Sequence, residues 1–170
     1  MNPIRITRTV KMPDPVRLNR YLKSPELGPS LLFFSGGSAL NKTSRVLKDY
    51  THNSIHFVTP FDSGGSSATL RKAFNMPSIG DLRSRLMALA DENITGHPDV
   101  YQLFTYRLPH DMNNDELLKQ LDSMIRGKGA LISNISNPMR RLIRNQLGYF
   151  RDAMPANFDL RGASVGNLIL

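Results

Sequence analysis

Two short apolar runs, each breaking into a loop of glycine and serine, constrain this chain more than any other feature. Leu31-Leu32-Phe33-Phe34 ends in Ser35-Gly36-Gly37-Ser38, and Ile55-His56-Phe57-Val58 opens, past Pro60, into Asp62-Ser63-Gly64-Gly65-Ser66-Ser67. A continuous apolar run that stops at small residues is how a parallel strand covered on both faces leaves its sheet. Between the runs, Leu40, Val46 and Leu47 supply a partial apolar helix face, with Lys42, Arg45 and Lys48 turned outwards. Strand, helix and strand make a βαβ unit, so the expected class is α/β with a mostly parallel sheet flanked by helices.

The remaining segments are punctuated as helices. Leu82, Leu86 and Leu89 follow Gly80-Asp81 at helical spacing and predict a helix over 82–91 capped by Asp81. Asn114 as cap, acidic Asp115 and Glu116 in the first turn, an interior of Leu117, Leu118, Leu121 and Ile125, and Gly127 as stop predict a second. Asn137-Pro138 opens a third, whose stripe is Met139, Leu142, Ile143, Leu147 and Phe150, with Arg140, Arg141, Arg144 and Arg151 largely on the other face. Residues 1–29 hold five prolines and no lasting period, and read as an extended basic leader outside the core. Arg5, Arg8, Arg17 and Arg20 could suit a transit peptide, but the prolines break the amphipathic helix it needs.

A chain of 170 residues fits one domain. It has no cysteine, which removes disulfides, thiolate metal sites and cysteine nucleophiles. No apolar run is long enough to cross a membrane, and with no secretory signal the expected location is cytoplasmic. The formal net charge of +8 suggests an anionic partner without naming one. The excess is spread along the chain, and the aromatic residues sit in strand-like runs rather than among the basic ones, which disfavours a nucleic-acid groove. The arginine face of residues 140–151 keeps RNA as a minor alternative. A homo-oligomer is left open.

The pair of loops is the strongest local signal for chemistry. Glycine permits close approach, and amides at a helix N-terminus can hold phosphate oxygens. Parallel neighbours would bring both loops to one carboxyl edge, where ligands of α/β sheets bind. Two ordinary βα turns are the plain alternative, and the Asp between the loops favours a phosphate-bearing ligand. The dinucleotide and P-loop signatures are absent. Gly162-Ala163-Ser164-Val165-Gly166 has the spacing of a serine-hydrolase elbow, but only four residues follow it; His52, His56, His97 and His110 are its formal partners. His52 and His56 flank a strand start, where a spacing of four does not align metal ligands.

These loops, together with Pro77-Ser78-Ile79-Gly80-Asp81-Leu82-Arg83, Leu103-Phe104-Thr105-Tyr106-Arg107 and Gly162-Ala163-Ser164-Val165-Gly166-Asn167, resemble in order the motifs of the CofD-like family. That family holds the 2-phospho-L-lactate transferases and the YvcK-type gluconeogenesis factors, and the segments look closer to the second branch. The resemblance implies a Rossmann-like core over residues 30–170 that binds a nucleotide-diphosphate derivative; the stretch at about 109–159, longer than the family's usual link, reads as a helical insertion on which the resemblance is silent. It implies phosphate or nucleotide contacts from Gly36, Gly37, Ser38, Gly64, Gly65, Ser66, Ser67, Asp81, Arg83, Gly166 and Asn167. Asp62 would be the catalytic and Mg2+-binding residue. The implied activity is Mg2+-dependent transfer of a phosphate-linked group from a nucleotide-diphosphate donor; the alternative is a non-catalytic regulator that binds a UDP-sugar. Ala39, Ser63, Ala68 and Ala163 depart from the usual motifs, and Ser63 leaves Asp62 as the single carboxylate of its loop. The final Leu168-Ile169-Leu170 is apolar with no polar stop, so the chain is expected to be the N-terminal part of a longer protein, with its sheet incomplete at the C-terminus.

Overall fold

The computed structural model describes residues 3–7, 9, 11–62, 64–92 and 97–170. Arg8 and Ser63, both named above, lie outside them.

Strands β1 (Leu31–Ser35) and β2 (Ser54–Val58) form where the apolar runs predict them and pair in parallel, with Leu31 opposite Ser54 and Ser35 opposite Val58. Helix α2 (Asn41–Leu47) connects them. The expected Rossmann-like, mostly parallel sheet flanked by helices is not present: the described residues hold one sheet of two strands, and the rest of the ordered chain is mainly helical. The reason lies in periodicity. After Val58 no further apolar run ends in a turn, and the apolar residues recur at the three- and four-residue spacing that buries one helix face.

Seven helices follow β2 among the described residues: α3 (Gly65–Phe74), α4 (Gly80–Leu89), α5 (Pro98–Thr105), α6 (Asn114–Ile125), α7 (Ala130–Ser133), α8 (Met139–Ala153) and α9 (Val165–Ile169). Their apolar faces make the core. Leu103, Leu117, Leu121, Ile132, Leu147, Leu160 and Val165 have no solvent-exposed surface, and no strand residue belongs to this cluster. Phe74, Phe150 and Phe158 meet ring to ring and tie α3 to α8. The sheet is therefore not covered on both faces. Leu32, Phe34, Ile55 and Phe57 alternate with more buried neighbours along the strands and are exposed, Phe34 to 81%.

Local signals explain the remaining differences. The leader is not wholly extended, because Pro15–Lys23 forms helix α1: Asp14 accepts hydrogen bonds from the amides of Val16 and Arg17, and Pro15 occupies the first helical turn, where its missing N–H costs nothing. None of its residues is buried. Helix α4 begins at Gly80, so Asp81 lies in its first turn and not at its cap. Asn113 caps α6, and Asn114 instead joins α6 to the later chain by accepting from Leu160 N and donating to Phe158 O. On α8, Ile143 and Leu147 are buried but Leu142 is exposed. The arginine face of α8 is partly spent on its neighbours: Arg144 donates to Ile125 O, Arg151 pairs with Asp122, and Arg140 donates to Ser133 O. At the chain end, Leu168 and Ile169 are buried in α9, which packs on α5 and α8.

Candidate functional site

A cleft of about 460 Å³ lies where the start of α3, the start of α4 and the segment before α9 converge. The N-cap residues of α3 and α4, Gly64 and Ile79, cap their helices with no side chain of their own. Their first amides have no intrahelical acceptor, so two partial positive charges face one cavity. Gly64, Gly65, Ser66 and Ser67 line it from α3, and Gly80, Asp81 and Arg83 line it from α4.

Asp62 is built into this wall. Its Oδ1 accepts the Gly64 amide at 2.8 Å. That bond, with the Ser67 hydroxyl and the Arg71 guanidinium, holds its carboxyl below the usual carboxylate value against the opposing effect of burial, so it is ionised at neutral pH. Gly80 sits against it so closely that an added Cβ would overlap both Asp62 Oδ2 and Ser67 Oγ. Asp81, 8% exposed, is the second carboxylate on this side of the cleft. Among the described residues no group of three or more His, Asp or Glu side chains could hold a metal. Asp62 and Asp81 are fewer carboxylates than an all-protein cage needs, so a hard cation here would have to be completed by ligand phosphates and water.

Two arginines, Arg83 and Arg107, line the same cleft. Arg83 is half-buried and donates from Nε to Asn167 Oδ1 at 2.7 Å and from Nη1 to Phe104 O at 3.2 Å. Arg107 donates to Gly162 O at 3.1 Å, in the segment where Arg107 and Ser164 form an isolated antiparallel bridge. Burial first, then the neighbouring Arg107 charge, lowers the Arg83 pKa. Neither arginine pairs with a carboxylate among the described residues. Asn167 Nδ2 and Ser164 N both donate to Ser66 Oγ at 3.3 Å, so the last motif is wired to the second loop.

Of the residues expected to bind nucleotide, Gly64, Gly65, Ser66, Ser67, Asp81, Arg83 and Asn167 line this cleft together with Asp62. Gly166 lies buried behind it, with Arg83 and the Phe104 backbone where a Cβ would be. Gly36, Gly37 and Ser38 are not among the lining residues; at Gly36 an added Cβ would lie 3.3 Å from Asp81 Oδ2. Ser164 is wholly buried with its Oγ unpartnered, and it serves as the N-cap residue of α9. A nucleophile needs access that this position lacks. His56 stacks on Phe33 and shares a hydrogen bond with Ser54. Arg107, His110, Asp159 and Arg161 also line the cleft, and none of them was expected to bind ligand, His110 having been named only as a formal partner of Ser164. The motif containing Arg107 was visible; the other three lie near the two ends of the expected helical insertion, outside every recognised motif.

Residues 31–170 match the family described as 2-phospho-L-lactate transferase CofD. A gluconeogenesis factor of Bacillus subtilis is 38% identical over 79 residues, covering 46% of this chain and 24% of that protein. An uncharacterised protein of Saccharomyces cerevisiae is 28% identical over 148 residues, covering 80% of this chain and 31% of its own. A crystal structure of a UPF0052-family member from Bacillus halodurans is 30% identical, with a TM-score of 0.43, over 68% of this chain and 36% of that one. The chain thus spans about a quarter to a third of the length of these relatives. No helix among the described residues is long and apolar enough to cross a membrane. With the family match covering all but the first 30 residues, this chain belongs to the CofD family.

Proposed function

We propose that the cleft binds a nucleotide-diphosphate derivative, and that the chain acts as a ligand-responsive regulator of the gluconeogenesis-factor type with a UDP-sugar as its ligand class. The observation that carries this reading is the convergence of two helix N-termini with Arg83 and Arg107 on one cavity. The two helix N-termini and two arginines, set against the carboxylates Asp62 and Asp81 that would share a Mg2+ ion with the ligand, suit the charge of a diphosphate. The relatives described as gluconeogenesis factors support the regulatory branch.

Asp62 and Asp81 would hold Mg2+ together with the ligand's phosphates. Bound there, the ion supplies charge neutralisation for the diphosphate. The chain's own residues do the rest: the loop amides bind phosphate oxygens, Ser67 and the Gly64 amide fix Asp62 as an anion, and Arg83 and Arg107 face the ligand's remaining negative charge.

Group transfer from a nucleotide-diphosphate donor is the second reading, favoured by the family description that matches residues 31–170. Titration calorimetry with UDP, UDP-sugars and GDP, with and without Mg2+, tests the binding reading. Saturable binding of a UDP-sugar is expected, and no heat from any of them would reject it. Turnover of a labelled donor would replace the regulatory reading with the second.

A further inference from the structure

Ser66 sits at the cleft with an unusual set of partners. Arginine is a donor only, so the 2.7 Å contact from Arg83 Nε fixes the Asn167 side-chain oxygen towards Arg83. The Asn167 amide group must then point its N–H bonds the other way, at Ser66 Oγ. The backbone N–H of Ser164 points at the same oxygen. A hydroxyl has two acceptor lone pairs and one proton to donate. Both acceptor positions of Ser66 are therefore taken, and no described residue accepts its proton. The one direction left is the cleft, which Ser66 lines.

We propose that Arg83 and Asn167 are positioning residues that act on the ligand through Ser66, fixing its hydroxyl as an obligatory donor so that the ligand atom seated there must be a hydrogen-bond acceptor such as a phosphoryl oxygen. This rests on the reading of the cleft as a nucleotide-diphosphate site. The polarity runs one way: guanidinium to amide oxygen, amide N–H to serine oxygen, serine O–H to ligand. Each link polarises the next. The chain begins at a half-buried cation with no carboxylate partner among the described residues, so its charge is passed on to the ligand. A ligand group that can only donate, such as an ammonium, would meet a donor at this point and be rejected.

Asn167→Asp keeps the shape but replaces the N–H donor with an acceptor, so the Ser66 proton turns away from the cleft towards the introduced carboxylate. The test is a double-mutant cycle on UDP affinity with Ser66→Ala, Asn167→Asp and the double variant, each checked for fold by circular dichroism. Each single change should weaken UDP roughly tenfold or more, the effect of one hydrogen bond to a charged group. The double variant should be far tighter than the product of the two losses predicts, because each single change already deprives the ligand of the same proton. Multiplicative losses would overturn the relay while leaving nucleotide binding intact. If the wild-type chain binds neither UDP nor GDP, the function reading fails, and the relay is decided in the free protein by NMR. Ser66→Ala should then shift the side-chain amide signal of Asn167 and the Arg83 Hε signal, and unmoved signals would refute it.

Discussion

Replacing Gly80 with alanine probes the place where the second loop meets α4. An added Cβ would overlap Asp62 Oδ2 and Ser67 Oγ, and its third neighbour, Asp62 Cγ, is 3.4 Å away. Both oxygens belong to groups held by hydrogen bonds, so neither can rotate away freely. Overpacking of this kind costs about 1–3 kcal/mol, while alanine recovers at most about 1 kcal/mol of helix propensity, and less in a first turn. A net loss of about 1–2 kcal/mol lowers the Tm of a chain this size by roughly 2–8 °C. Gly65→Ala is the matched control: it also opens a helix at the cleft, and its Cβ would meet nothing within 4 Å. Thermal unfolding followed by circular dichroism should show the Gly65 variant at or slightly above the wild-type Tm and the Gly80 variant clearly below it. Equal Tm values for the two variants would refute the close approach of α4 to Asp62.

Three further outcomes follow from the same geometry. Leu117→Ala should cost about 2–5 kcal/mol in denaturant unfolding, because Leu117 is wholly buried between helices, whereas Phe34→Ala on the open sheet face should stay within about 0.5 kcal/mol; equal losses would mean that the sheet shares the core. The Asp62 carboxyl is held below its unfolded value of about 3.9, so its stabilisation is complete above that value and is lost as pH falls through the lower folded value. Asp62→Asn should therefore flatten part of the acid limb of a Tm against pH curve, and an unaltered limb would contradict the assignment. Arg85 is 2% exposed, donates to Ser44 Oγ, leaves Nε and Nη2 unpartnered and faces the buried Asp81. Arg85→Met should thus be more destabilising alone than together with Asp81→Asn, because the single change leaves the Asp81 charge without the Arg85 charge that attracts it, and the reverse order in unfolding experiments would exclude the coupling.

The parts of this structure that were legible in the sequence are those written locally. The two apolar runs announced β1 and β2, the acidic first turn and Gly127 framed α6, and Asn137-Pro138 announced the start of α8. Extending the βαβ unit into a larger parallel sheet was not licensed by the residues themselves: the four apolar side chains of Leu31 to Phe34, and the three of Ile55, Phe57 and Val58, matched a doubly covered sheet, yet Phe34 and Phe57 face outwards. The distinction depends on what packs against the strands, and that is a tertiary fact. The same holds for the site. Asp62 and the Gly64 to Ser67 turn stood out as a motif, and Asp81, Arg83 and Asn167 through the ordered resemblance. The bond from Arg83 to Asn167 joins residues 84 apart, and the one from Asn167 to Ser66 spans 101, so no local pattern could reveal that the last motif reaches the cleft through these two residues. His110 presses against Gly162, whose φ of +67° allows the turn that brings it there; a lone histidine in a loop carried no sign of that.

A diphosphate seated in the cleft at the starts of α3 and α4 would be seen by backbone amide mapping by NMR during titration with UDP and Mg2+. Saturable shifts are expected at Gly64 to Ser67, Gly80 to Arg83 and Ser164 to Asn167, with the amides of α8 unmoved. Saturable shifts confined to the arginine face of α8, or to the first loop at Gly36 to Ser38 alone, would contradict that placement.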